Sequence, residues 1–310
     1  MEVDGLAVRH CTLRKRVARS KYLYLLLIPV LIWYCIFCYG PMYGLVTAFQ
    51  DYNMNKGVLG SPFVGLKHFK ALMVDKYFWR AFQNTLIIAL YRIIFVFPVG
   101  ILLALLLNEL KPRVFKKGVQ TCLYLPHFLS WVIAASIVIA ILSPDIGLVD
   151  GICRAFGWKT PVLLTKPAYF RRILVLSEIW KEAGWNTIIY VATISGIEQS
   201  QYEAAYVDGA GRWKQMRHIT LPGLLPTVMI MLILTVGQIM NAGFDQVYNL
   251  YNARVYSTGD IIDTYIFRTV LSDNKLSYAA SAGLFKSVIG TILLAGTNLA
   301  SRKITGNGIF

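Results

Sequence analysis

Charged residues are scarce in this chain. Only 15% of its 310 positions are Asp, Glu, Lys or Arg, where a soluble domain carries about a quarter. Beside 56% hydrophobic residues and a mean hydropathy of +0.54, that deficit excludes an ordinary soluble globule. Several apolar runs of about 20 residues point instead to a polytopic membrane protein. Acidic residues are the scarcer sign, 16 against 31 Lys and Arg, for a net charge of +15. The surplus does not indicate nucleic acid, because no basic patch is interleaved with aromatics as a single-strand groove requires. It crowds short segments beside apolar runs: Arg9, Arg14, Lys15, Arg16, Arg19 and Lys21, then Lys111, Arg113, Lys116 and Lys117. That is the positive-inside pattern, with attraction to the membrane lipid as a by-product.

Catalytic and cofactor signatures are missing as well. No G-x-x-x-x-G-K-[ST] occurs, and "GAGRWKQ" has its glycines and lysine at the wrong spacing to wrap phosphates. The chain is therefore expected to hydrolyse no ATP by itself. Its four histidines, His10, His68, His127 and His218, are far apart and share no metal-ligand spacing. No nucleophile–base signature is evident, so a membrane-embedded enzyme has no cluster to work with. The five cysteines are scattered, with only Cys153 in an expected outer loop. Cys35 and Cys38 have C-x-x-C spacing inside an apolar span, where packing explains them better than redox or metal chemistry.

Long apolar runs are what the chain does have. The first is "YLYLLLIPVLIWYCIFCYG", residues 22–40, longer than a signal-peptide core and without an A-x-A-like site, which reads as an uncleaved span. Five more fall at about 82–108, 120–142, 173–195, 223–244 and 277–300. Each crosses a hydrocarbon core as a helix, because hydrocarbon offers backbone groups no partner. With the N-terminus placed inside, the inner segments carry fifteen basic residues and the much longer outer segments thirteen, the sign that the positive-inside rule requires. The expectation is an all-α membrane protein: a basic N-terminal segment, 1–21, and one six-helix domain, 22–310, multi-pass with both termini cytoplasmic.

One stretch breaks the pattern. "EAAYVDGAGRWKQMRHITLP", Glu203 to Pro222, is charged and turn-rich between two apolar runs, in the inner loop 197–222. Ser200 and Glu203 have capping-box spacing, which starts a helix. Asp208-Gly209 reads as its end, "GRWKQMRHI" as a second short helix, and Pro222 and Pro226 as the first turn of the next span. Ala204, Ala205, Gly209, Ala210 and Gly211 make one side small. On these grounds the stretch is either a loop folded on its own helix ends or a knob for a cytoplasmic partner.

Glu203, Ala204, Ala205, Gly209, Ile219, Leu221 and Pro222 match at full spacing the Glu-Ala-Ala…Gly…Ile-x-Leu-Pro motif that this stretch resembles. The motif belongs to permease subunits of binding-protein-dependent ABC importers. "YGPMYGLVTAFQDYN", "VGLKHF", "YLPHFLSWVI", "EIWKEAGWNTIIY" and "AGLFKSVIG" are similar to its complex-carbohydrate branch, the maltose-permease-like importers of lipoprotein-associated polysaccharide and alginate type. Met216 departs from the aromatic residue common in relatives. The resemblance implies a MetI-like permease fold in a bacterial inner membrane. It makes the stretch, Asp208 included, a coupling helix seated in a groove of an ATPase, with Glu203 facing a basic residue there. The partners implied are a second homologous permease, two ATPases that bind the ATP and Mg, an extracellular or periplasmic binding protein, and an oligosaccharide. No cofactor is expected on this chain itself.

Polar residues inside spans are the remaining signal, since they are costly in hydrocarbon and face bundle interiors or cavities. Glu178, Trp180, Lys181, Glu182, Trp185 and Asn186 crowd the fourth span, and Gln238 and Asn241 end the fifth, at a similar depth. Lys286 and Arg92 lie near mid-membrane. Trp180, Lys181, Trp185, Asn186, Gln238, Asn241 and Lys286 are candidate pathway residues. The competing reading is glue between helices, with Lys181 pairing Glu178 at i,i+3, and for Arg92 a structural pair or a phosphate contact. A self-sufficient secondary transporter or channel is the alternative function, but neither an inverted repeat nor a proton-relay set of carboxylates shows.

Overall fold

The computed structural model describes residues 21–305. The basic segment 1–20, with Cys11 and His10, lies outside the described residues, as do 306–310. Among the described residues the structure is helical, apart from one isolated bridge between Gln50 and Phe63. Numbered in chain order, leaving single turns aside, α1 is Lys21–Phe49 and α3 is Lys76–Glu109, with α2, Lys67–Val74, between them. Next come α4, Arg113–Phe128, and α5, Trp131–Leu142, then α6, Leu148–Ala155, and α7, Pro167–Ser195. The rest are α8, Gln199–Val207; α9, Arg212–Gly237; α10, Phe244–Leu250; α11, Ile262–Asp273; and α12, Leu276–Thr305.

Four of these helices, α1, α3, α9 and α12, are long and apolar enough to cross a membrane, and α4 with α5 makes a fifth. α7 has the length, 29 residues or about 43 Å, but keeps Glu178, Lys181 and Glu182 in its middle. The expected span 120–142 is not straight: α4 and α5 meet at 104°. Pro126 sits at the break, and Ser130 restarts the chain by accepting the amide of Ile133 at 3.3 Å. α7 begins at Pro167, six residues before the expected boundary, because Pro at the first turn costs no hydrogen bond.

Three helices widen by a residue just before a proline. Gly40 donates to the carbonyl of Cys35, Phe97 to Arg92 and Leu221 to Met216, each five residues back. Pro41, Pro98 and Pro222 follow immediately. A proline ring collides with the carbonyl four residues back, and a π-turn moves that carbonyl aside.

α7 is the centre of the bundle, with Phe170, Ile173, Leu174, Tyr190 and Ile194 buried along it. Gly184 lets α4 approach so closely that a Cβ there would strike the carbonyl of Leu123. α1 is the outlier, with exposed apolar side chains from Tyr22 to Tyr39, which only hydrocarbon or another apolar helix would tolerate.

Candidate functional site

Two places collect the residues that the sequence singled out. The first is a cleft of about 380 Å³ between α3, α7 and the end of α9. It brings together Arg92, Glu178, Glu182, Asn186, Gln238 and Asn241, as the matching depths of the two spans anticipated. α9 stops at Gly237, and Gly243 in a left-handed conformation, φ 68°, turns the chain into α10. A Cβ on Gly243 would strike the guanidinium of Arg92, so that glycine gives Arg92 its room.

The charges in this cleft are balanced within the chain. Arg92 Nε lies 2.5 Å from Glu178 Oε2, an ion pair without the alignment of a hydrogen bond. Its Nη2 donates to Gln246 Oε1 at 2.6 Å. Gln246 in turn donates to Ser177 Oγ and the carbonyl of Leu174, at 2.8 and 2.7 Å. Arg92 is therefore in a structural pair, one of the two alternatives to pathway lining left open by the sequence, and Glu178 belongs to Arg92 instead of Lys181. Lys181, nearly buried, donates to Glu182 Oε1 at 2.8 Å and to the carbonyl of His127 at 2.9 Å. It thereby places a cation against the carbonyl end of α4 at the break, where helix dipole and unpaired carbonyl both favour one. Glu182 also holds His127 Nδ1 at 2.6 Å.

In contrast, the side-chain amides of Asn186, Gln238 and Asn241 make no hydrogen bond among the described residues. Trp185 and Trp180 do not line this cleft. Trp185 stacks on His127, centroids 4.2 Å apart and rings within 5° of parallel, and Trp180 faces an apolar pocket beside α5. Lys286 pairs with Asp263 at 2.6 Å in an adjoining cavity of about 550 Å³, which shares Asn241 with the cleft. Gln246, Ser177, His127 and Asp263 escaped the sequence reading. Gln246 and Asp263 sat in a segment assigned to an outer loop, and His127 in a span expected to be straight.

The second place is the turn at 196–212. α8 starts one residue before Ser200, with Glu198 at its cap and no side-chain capping bond, so the expected capping box does not form. Its end is as the sequence suggested. Gly209 takes φ 74°, the amide of Ala210 reaches Ala205 O at 2.8 Å, and that of Gly209 reaches Tyr206 O at 3.0 Å: the Schellman arrangement. The second short helix is instead about the first two turns of α9, continuous with the span, so Pro222 and Pro226 lie inside a helix. The turn is tied down by Tyr202 Oη to Thr220 Oγ1, 2.9 Å, and by Arg212 to Glu109, 3.7 Å. Met216 packs into the core around Tyr190 and Leu224. Glu203, Ala204, Asp208, Gly209, Leu221 and Pro222 are exposed, while Ala205 and Ile219 are half-buried. Glu203 has no ion pair or hydrogen-bonded cap among the described residues. Tyr206, Val207 and Trp213 stand out at 77%, 84% and 72% exposure.

Comparison with known proteins agrees with this architecture. Residues 96–306 match the family described as binding-protein-dependent transport system inner membrane component. The polygalacturonan/rhamnogalacturonan transport system permease protein YteP of Bacillus subtilis is 43% identical over 295 residues, 95% of this chain and 92% of that one. Protein LplB of the same organism is 41% identical over 292 residues, 94% and 92% of the two chains. A chain of a bacterial alginate ABC transporter, solved in complex with an alginate pentasaccharide-bound periplasmic protein, superposes with a TM-score of 0.88. It is 40% identical, covering 96% of this chain and 99% of its own. The alternative of a self-sufficient carrier or channel gains nothing from these likenesses. The chain belongs to the inner-membrane permease components of binding-protein-dependent ABC transport systems.

Proposed function

We propose that the cleft between α3, α7 and α9 is this chain's share of an oligosaccharide pathway, and that the turn at 196–212 transmits ATP-driven motion to it. One observation carries the reading. Asn186 on α7, with Gln238 and Asn241 just past the end of α9, brings to one cleft three amides that have no partner among the described residues. Such groups are costly there unless something polar meets them. A sugar hydroxyl supplies both donor and acceptor. The relatives are named for polygalacturonan, rhamnogalacturonan and alginate, which supports a saccharide.

The coupling half of the proposal rests on exposure. Tyr206, Val207 and Trp213 stand exposed on the same turn as Glu203, which has no ion pair among the described residues, and Arg212 of this turn reaches Glu109 beside the basic 111–117 segment. That end is cytoplasmic by the positive-inside rule, which puts both termini inside. Exposed apolar side chains beside an acid without a partner among the described residues fit a groove on an ATP-binding subunit. The complete importer then holds a second homologous permease, two such ATPases carrying ATP and Mg, and a solute-binding protein on the opposite face.

Uptake by the complete transporter tests the pathway. Gln238→Ala with Asn241→Ala is expected to lower uptake at least tenfold while all subunits co-purify; unchanged uptake would make the amides structural. Glu203→Ala with Gly209→Pro is expected to abolish ATPase co-purification while the chain still inserts, and continued tight association would refute docking.

A further inference from the structure

A larger cavity, of about 1070 Å³, lies at the other end of the bundle. Its walls are residues 51–53, α2, the first turn of α3, Tyr256, α11 and the start of α12. Five tyrosine rings line it: Tyr52, Tyr77, Tyr256, Tyr265 and Tyr278. Two of them are fixed. Tyr265 Oη donates to Asp75 Oδ2 at 2.5 Å and Tyr278 Oη to the same oxygen at 2.8 Å. The charged groups facing the cavity are already satisfied. Arg268 is held by both oxygens of Asp260, at 3.1 and 2.7 Å, and lies over the Tyr256 ring. Asp51 takes Lys67 and His68 at 2.6 and 2.9 Å, and Lys275 sits 3.6 Å from Asp273. The hydroxyls of Tyr52 and Tyr77 and the side chain of Asn274 have no partner among the described residues.

Ring faces with uncharged hydrogen-bonding groups, and charged groups already bonded within the protein, Asp75 among them, suit the apolar faces and hydroxyls of sugar rings better than they suit an anion. We infer that this cavity is a second saccharide subsite, which receives uncharged, hydroxyl-rich sugar residues before they reach the cleft. The inference rests on the pathway reading above, which puts this end outside. α12 links the two places: Tyr278 lines this cavity, and Lys286, eight residues on and about 12 Å along the helix, lines the one that shares Asn241 with the cleft.

The test uses the complete transporter in nanodiscs, without nucleotide or binding protein, and cellopentaose bearing a diazirine. Cross-linked peptides are expected from 50–56 and 268–278. Tyr77→Ala is expected to cut that labelling at least fivefold, and so is Asn274→Gly, which keeps the left-handed backbone, φ 53°, but removes the amide. Gln238→Ala is expected to leave it unchanged, so a failed pathway reading and a failed subsite give different results. Labelling confined to the cleft, or equal in wild type and both cavity variants, would overturn the subsite. So would better competition by unlabelled pentagalacturonide than by unlabelled cellopentaose.

Discussion

Lys181 is the residue on which the middle of the bundle depends. Alone it would be an intolerable cation at that depth, yet it meets a carboxylate and a helix-end carbonyl at once. Lys181→Met removes the cation and leaves the carbonyl of His127 and one oxygen of Glu182 without that donor. The expected loss is about 2–4 kcal/mol, measured as a fall in melting temperature of the purified transporter; Lys181→Met with Glu182→Gln should recover part of it. An unchanged melting temperature in the single variant would show that water already serves those oxygens. Gly184 argues the same way through space: Gly184→Val is expected to stop α4 from packing and to lower the yield of folded protein. The residue scale is also where the sequence was least legible. Residue type announced that Glu178, Lys181, Glu182 and Arg92 were unusual, but one turn of helix offers several partners. Only the approach of α3 decided that Glu178 pairs with Arg92 and left Glu182 to Lys181.

At the scale of elements, helix ends were readable where backbone conformation forced the choice and unreadable where a side chain had options. Gly209 had to end α8, since a left-handed residue there favours glycine; Gly209→Ala should cost about 1 kcal/mol, seen as faster amide exchange in 204–210. Ser200 and Glu203 had capping-box spacing, but the helix starts a residue too early for it. Asp75 is a cap the sequence reading passed over. It accepts the amides of Tyr77 and Phe78 and two tyrosine hydroxyls, binding the start of α3 to α11 and α12. Burial pushes its carboxyl up, but the hydroxyls of Tyr265 and Tyr278, with those amides, outweigh burial and hold it below its ordinary value of 3.8. A lowered carboxyl contributes stability that is complete above 3.8 and is lost as pH falls through the lower folded value. Asp75→Asn should therefore melt below wild type by roughly 1–2 kcal/mol near neutrality, after solvent screening. The gap should close in acid; a gap independent of pH would show that the carboxylate charge is irrelevant.

For the whole molecule, composition and apolar runs carried the class, and the spacing from Glu203 to Pro222 carried the family. The bent third crossing was not legible, because hydropathy measures how apolar a segment is and is blind to direction. Pro126 was visible, but a proline in a span is as often a mild kink as a corner. The large cavity near Asp75 was equally hidden, since residues 51–53, 256 and 265–278 are brought together only by the return of α12.

The widened turns before Pro41, Pro98 and Pro222 have a consequence for how such a chain can change its length. Each turn holds one residue more than an α-helix would, and each residue advances the helix face by about 100°. In α9 the surplus residue and Pro222 compensate for each other. Deleting one residue from 216–220 alone would put the proline ring back against a carbonyl; replacing Pro222 alone would leave a surplus with nothing to absorb. Removing both should restore the phase between the exposed turn and the cleft. The double change is then expected to express and transport better than either single one, and equal failure of all three would show that the bulge serves something besides the proline. Length changes in this helix would thus be inherited in matched pairs.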